Sequence, residues 1–97
     1  MIAWRGENMP ALKGLPGTDG REIEGEFVGS VSAALRVLSK GKPAIFAAEN
    51  GSINIWRDDS GRLRGERHFY KLVRESKRFY SQAALAVWLK SAIKKIR

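Results

Sequence analysis

The chain predicts an α+β domain: a strand, a helix, three antiparallel strands and a closing helix. Both helices should pack on one face of a small, mostly antiparallel sheet. Three observations carry this expectation. Asn50-Gly51 lies between two runs rich in β-formers, Ala44–Ala48 and Ile53–Trp56, as in a two-residue hairpin. Val31, Ala34, Leu35 and Leu38 follow Ser30 at helical spacing, and Leu85, Trp88, Leu89, Ala92, Ile93 and Ile96 repeat that spacing near the C-terminus. At 97 residues there is room for one core and not for two.

In chain order, residues 1–20 read as an irregular N-terminal arm, because Gly6, Pro10, Gly14, Pro16, Gly17 and Gly20 interrupt any period. Trp4, Met9 and Leu12 are the side chains able to pin that arm to the domain that follows, residues 21–97. Arg21–Val28 alternates, with Ile23, Gly25 and Phe27 on one side and Glu22, Glu24 and Glu26 on the other. This is a half-buried strand with a solvated acidic face. The helix after Ser30 has Lys40 in its last turn, Gly41 placed for a left-handed cap, and Pro43 to stop it.

Asn-Gly supplies the two positive-φ positions of a type I′ turn, and that turn sets a register. Ala48 then faces Ile53, Phe46 faces Ile55, and Ile45 faces Trp56. Phe46, Ala48, Ile53 and Ile55 share the core face, while Ile45, Ala47, Asn54 and Trp56 share the other. Asp58-Asp59-Ser60-Gly61 makes the next turn, and Arg62–Val73 a third strand interrupted near Gly65. Residues 66–76 also fit a short helix, since Phe69, Leu72 and Val73 have that spacing. The last helix starts near Ser81. Its apolar stripe suits a sheet, and its Lys90, Lys94, Lys95 and Arg97 complement the helix dipole.

The order helix, three strands, helix resembles the double-stranded-RNA-binding domain in topology. Ser76-Lys77-Arg78 ahead of Ala83-Ala84 is similar to the basic run leading into that family's second helix. In this chain Asn50-Gly51 stands where the family has a long first hairpin loop, and the early strand has no counterpart there. The resemblance is an analogy of topology and does not assign the chain to that family.

Charge is the strongest functional signal. Residues 1–56 hold six Lys/Arg against six Asp/Glu, whereas residues 57–97 hold twelve against four, so the whole excess of +8 lies in the last 41 residues. An anionic partner, nucleic acid or membrane surface, selects such an imbalance, and its confinement to one segment favours binding over a merely solvated surface. Arg57, Arg62, Arg64, Arg67, Lys71, Arg74, Lys77 and Arg78 are the candidate phosphate contacts, interleaved with Phe69, Tyr70, Phe79 and Tyr80. Guanidinium groups meet phosphates in bidentate fashion and exposed aromatics stack on bases. One or two of those four aromatics should be exposed, and Trp56 is the preferred stacking residue, because its register turns it away from Phe46 and Ile55. Its other outcome is burial with Ile45 under the N-terminal arm or a second subunit.

Other chemistries are poorly served. His68 is the lone histidine, there is no cysteine, and no nucleophile stands in a motif beside a base, so no catalytic residue, metal site or cofactor is expected. Neither glycine-rich stretch, Gly14–Gly17 or Gly61–Gly65, has phosphate-loop spacing. Asp58-Asp59 reads as turn chemistry. No apolar run is long enough to span a membrane, and Met1–Glu7 lacks the apolar stretch of a secretory signal. The reading is a small basic cytoplasmic protein that binds DNA or RNA with weak sequence preference and is not an enzyme. The alternative is a protein-binding adaptor or inhibitor of a nucleic-acid machine, of phage or plasmid type, using the Ile45/Trp56 face to meet its partner or itself.

Overall fold

The structure, a computed structural model, describes residues 11–97. Trp4 and Met9, proposed anchors of the arm, lie outside the described residues. Seven strands and two helices follow in the order β1 (Ala11–Lys13), β2 (Glu22–Glu24), β3 (Glu26–Phe27), α1 (Val31–Ser39), β4 (Ala44–Ala47), β5 (Gly51–Arg57), β6 (Leu63–Phe69), β7 (Leu72–Phe79) and α2 (Gln82–Ile96). β1 and β2 form a small antiparallel pair. The main sheet has the order β3-β4-β5-β6-β7, parallel between β3 and β4 and antiparallel elsewhere. The domain is α+β and mostly antiparallel, as predicted.

Both helices form where their caps and stripes place them. The Ser30 hydroxyl accepts the Ala33 N–H at 3.1 Å, and the Ser81 hydroxyl accepts that of Ala84 at 3.1 Å. Gly41 ends α1 at φ +81°. The buried faces of the helices, Ala34, Val37, Leu38, Leu85, Leu89, Ala92 and Ile96, meet Ala44, Phe46, Ile53, Ile55, Leu63 and Phe79 of the sheet in one core. Trp88 lies across Gly65, where an added Cβ would come within 2.7 Å of the indole ring. Gly65 therefore provides a seat for Trp88 inside an unbroken strand, and the irregularity predicted there falls instead at Arg67/His68, opposite which Arg74 is the extra, bulged residue of β7.

Three expectations need correction. First, the predicted third strand stops at Phe69. Tyr70 and Lys71, at φ +52° and +67°, turn the chain back into a fourth antiparallel strand, β7, in place of the alternative short helix. Second, the Asn50-Gly51 turn is not type I′. Ala48 N–H donates to Gly51 O at 2.8 Å, so Glu49 and Asn50 form the turn and neither Asn50 nor Gly51 has positive φ. The register lies two residues from the predicted one, with Phe46 opposite Ile53 and Ile45 opposite Asn54. A two-residue slip keeps every side chain on its face, so the core assignment survives. The pull comes from β6: β5 pairs with it as far as Gly51↔Phe69, and Asn50 O accepts the Tyr70 N–H at 2.8 Å. Gly51 is needed for close approach, because a Cβ there would lie 2.9 Å from Ile96 and 3.0 Å from the His68 carbonyl.

Third, residues 11–20 are part of the body. β1 pairs with β2, Leu15 and Thr18 are buried, and Asp59 N–H donates to Gly17 O at 2.8 Å. The strand predicted over residues 21–28 consequently divides at Gly25, and its halves serve different sheets. A Cβ at Gly25 would meet Ile45 at 3.0 Å and the Pro43 carbonyl at 3.2 Å, so a side chain there would crowd the crossing.

Candidate nucleic-acid interface

The register sorts the basic segment onto two faces and one edge. Trp56, Arg64 and Arg78 are neighbours across β5, β6 and β7 on the face away from the helices, and Arg67, Glu75 and Lys77 lie on the helix face. β7 is the last strand of the sheet, so everything it carries is at an edge.

Trp56 is not a stacking residue. It is 1% exposed, and its indole N–H donates to the Pro16 carbonyl at 3.1 Å. Ile45, on the same sheet face, is also buried, at 5% exposed. The chain's own segment covers this pair, which is the second of the two outcomes open to Trp56. The Ile45/Trp56 face is therefore interior, and the interface of the protein-binding alternative is not exposed.

Two of the predicted phosphate contacts are already committed. Arg64 Nε donates to Asp58 Oδ2 at 2.7 Å. Asp58, 6% exposed, also accepts from Ser60 N at 3.0 Å, Ser60 Oγ at 2.6 Å and Arg62 N at 3.0 Å. Burial pushes the Asp58 carboxyl up, yet the hydrogen bonds from Ser60, Arg64 and Arg62 outweigh it and hold the group well below the usual carboxylate range. The turn chemistry predicted at Asp58 is present, with Gly61 at φ +86°, and it also anchors β6. Arg67 Nε donates to Glu75 Oε1 at 2.8 Å, and Lys95 of α2 stands 3.6 Å from the same oxygen. The Arg67 hydrogen bond is the main reason that Glu75 is held below its ordinary value. With its side chain 15% exposed, Arg67 ties β6 to β7 through Glu75, and Glu75 in turn meets Lys95 of α2.

Lys71, Arg74, Lys77 and Arg78 are different. All four are exposed, and none of their side chains has an ion pair or hydrogen-bond partner among the described residues. They fall within eight consecutive residues whose one carboxylate, Glu75, is held by Arg67 and Lys95. Arg57 and Arg62 stand at the other end of the hairpin. Arg57 Nη1 donates to Gly61 O at 2.8 Å, and the Arg62 guanidinium lies 4.5 Å above the Tyr80 ring centre. Of the four interleaved aromatics, Phe79 is buried and Phe69 half-buried, while Tyr70 and Tyr80 are exposed, within the number expected. Ser76-Lys77-Arg78 lies inside β7 rather than at a helix start, which removes the local basis of the resemblance to the double-stranded-RNA-binding domain.

His68 Nε2 lies 3.1 Å from Glu66 Oε1, and among the described residues no group of three His, Cys, Asp or Glu side chains could hold a metal ion. No helix of the described residues is long and apolar enough to cross a membrane. The chain matches no protein-family profile, no curated protein and no solved structure.

Proposed function

We propose that this is a non-enzymatic nucleic-acid-binding protein whose phosphate contacts run along the β7 edge and the turn that leads into it. The observation that supports the reading is the run of four exposed, unpaired cations, Lys71, Arg74, Lys77 and Arg78, in a segment whose own carboxylate is neutralised internally. Unpaired cations on a surface stay hydrated and mutually repelled until an anion arrives, and a phosphate chain relieves several at once. Residues in a strand rise about 3.3 Å each, so the cations are strung along an extended edge, Arg78 on one face and Lys77 on the other, rather than gathered around one compact anion. Two arginines named from the sequence, Arg64 and Arg67, stiffen the hairpin that presents the row, and Arg57 and Arg62 extend it.

The test is a titration of single- and double-stranded DNA and RNA oligonucleotides against salt. Log affinity should fall linearly with log salt, by about 0.7–0.9 per phosphate contact. A protein with no affinity for any of these at low salt would overturn the reading.

A further inference from the structure

Tyr80 is the most exposed large aromatic among the described residues, at 86%. It is also held in place. The Arg62 guanidinium covers one side of the ring at 4.5 Å from its centre, and the backbone on either side is fixed by buried Phe79 and the Ser81 cap. An aromatic ring this exposed gains little from the fold. One packed against an arginine from behind is a rigid plane with a free surface. Beside it opens a hollow of about 440 Å³ whose lining includes Arg57, Arg62, Tyr80, Ser81 and Gln82. Arg57 engages the Gly61 carbonyl through Nη1, which leaves its remaining guanidinium hydrogens for another acceptor.

We propose that Tyr80 is a stacking platform for one unpaired base of a single-stranded nucleic acid, with Arg57 and Arg62 taking the phosphate of that nucleotide. The site rests on the nucleic-acid reading above and specifies its ligand: an unpaired nucleotide, DNA or RNA, at the Arg57–Tyr80 end of the β7 row. A base in a duplex has both faces covered and cannot use the platform. Tyr70, the other exposed tyrosine, packs edge-on to Phe69 with ring centres 4.6 Å apart and serves as the control.

The experiment compares a single-stranded oligonucleotide with an abasic strand of equal length, which keeps the phosphates and removes the stacking partner. Wild-type protein should prefer the base-bearing strand by about 5- to 150-fold, the range of one stacked base. Tyr80→Ala and Tyr80→Leu should abolish that preference and leave the salt slope unchanged, whereas Tyr80→Phe and Tyr70→Ala should keep it. Since Tyr80 is exposed, these variants should melt close to wild type. Salt-dependent binding with no preference between the strands, or a preference that survives Tyr80→Ala, overturns the platform and leaves the phosphate row standing. Binding to neither strand overturns both.

Discussion

β6 and β7 are neighbouring strands of one hairpin, both carrying several basic residues, and their charges are used in opposite ways. Arg64 and Arg67 of β6 are each bound to a carboxylate that the fold partly or wholly buries. Arg74, Lys77 and Arg78 of β7 face water without partners among the described residues. Burial explains the difference. The Arg64 and Arg67 side chains are only 21% and 15% exposed, so each needs a partner, whereas β7 ends the sheet and leaves its charges in water. Unpaired charge on an edge strand also repels other edges, so the same residues guard against strand-to-strand aggregation. Counting charges along a sequence therefore overstates a binding surface wherever the fold has already used some of them.

The contrast breaks most severely at Asp58. Asp58→Ala removes the acceptor of four hydrogen bonds and leaves Arg64 without its counter-ion, so it should destabilise by about 3–5 kcal/mol in a denaturant titration. Acid should act on the same network. The folded carboxyl titrates below its unfolded value of about 3.9, so its contribution is complete above that pH and is lost progressively as pH falls below it. A stability profile that stays flat from neutrality down to pH ~3 would contradict the network. Arg67→Ala comes next, at about 1–3 kcal/mol, because Glu75 keeps Lys95 as a second partner. Either variant should alter nucleic-acid affinity only through lost folding. A clear drop in salt slope for folded Arg67→Ala would mean that Arg67 is not confined to its structural pair.

Replacing Arg74, Lys77 and Arg78 together with glutamine should do the reverse. Exposed, unpaired side chains cost about 0.5 kcal/mol or less each to replace. The slope of log affinity on log salt should fall by about two to three, one contact for each cation removed. The sequence alone favoured Arg62, Arg64 and Arg67 as much as these three. In the folded protein that set contains one side chain, Arg62, outside an ion pair, so its slope should change by roughly one at most. Equal slopes for the two triple variants would erase the distinction between β6 and β7. Lys13, Arg21 and Arg36, from the electrically balanced half, should be nearly silent.

What was legible follows the same division. α1 and α2 were readable because their caps and apolar stripes are local and repeat at 3.6 residues. The core set Phe46, Ile53 and Ile55 was readable because period two survives a two-residue slip. β7 was hidden because both of its faces are largely wet, so no alternation of apolar and polar residues marks it as a strand. Trp56 was misplaced because its face is covered by a glycine- and proline-rich segment that has no period of its own, and only the Pro16 and Gly17 carbonyls reveal its docking. The eight candidate cations could be named from the sequence, but which of them pair with Asp58 and Glu75 depends on register across strands, which spacing along the chain does not encode. Gly51 and Gly65 were visible as glycines, but the ones they make room for, Ile96 and Trp88, come from α2 far along the chain.

The two turns permit the finest test. Asn50-Gly51 has the usual residues for a type I′ turn and does not form one, while Tyr70-Lys71 occupies positive φ at both positions without a glycine. A non-glycine residue held there costs about 1–2 kcal/mol. Lys71→Gly removes that cost at one position, and the more flexible unfolded chain takes back about 0.4–1 kcal/mol. The net effect should be a stabilisation of at most ~1.6 kcal/mol, with the salt slope lowered by no more than about 0.9 for the one cation lost. The arrangement makes sense if Lys71 is kept for its charge at the head of the β7 row despite the strain it bears. If Lys71→Gly leaves the salt slope unchanged, the turn lysine lies outside the row and the phosphate contacts begin at Arg74.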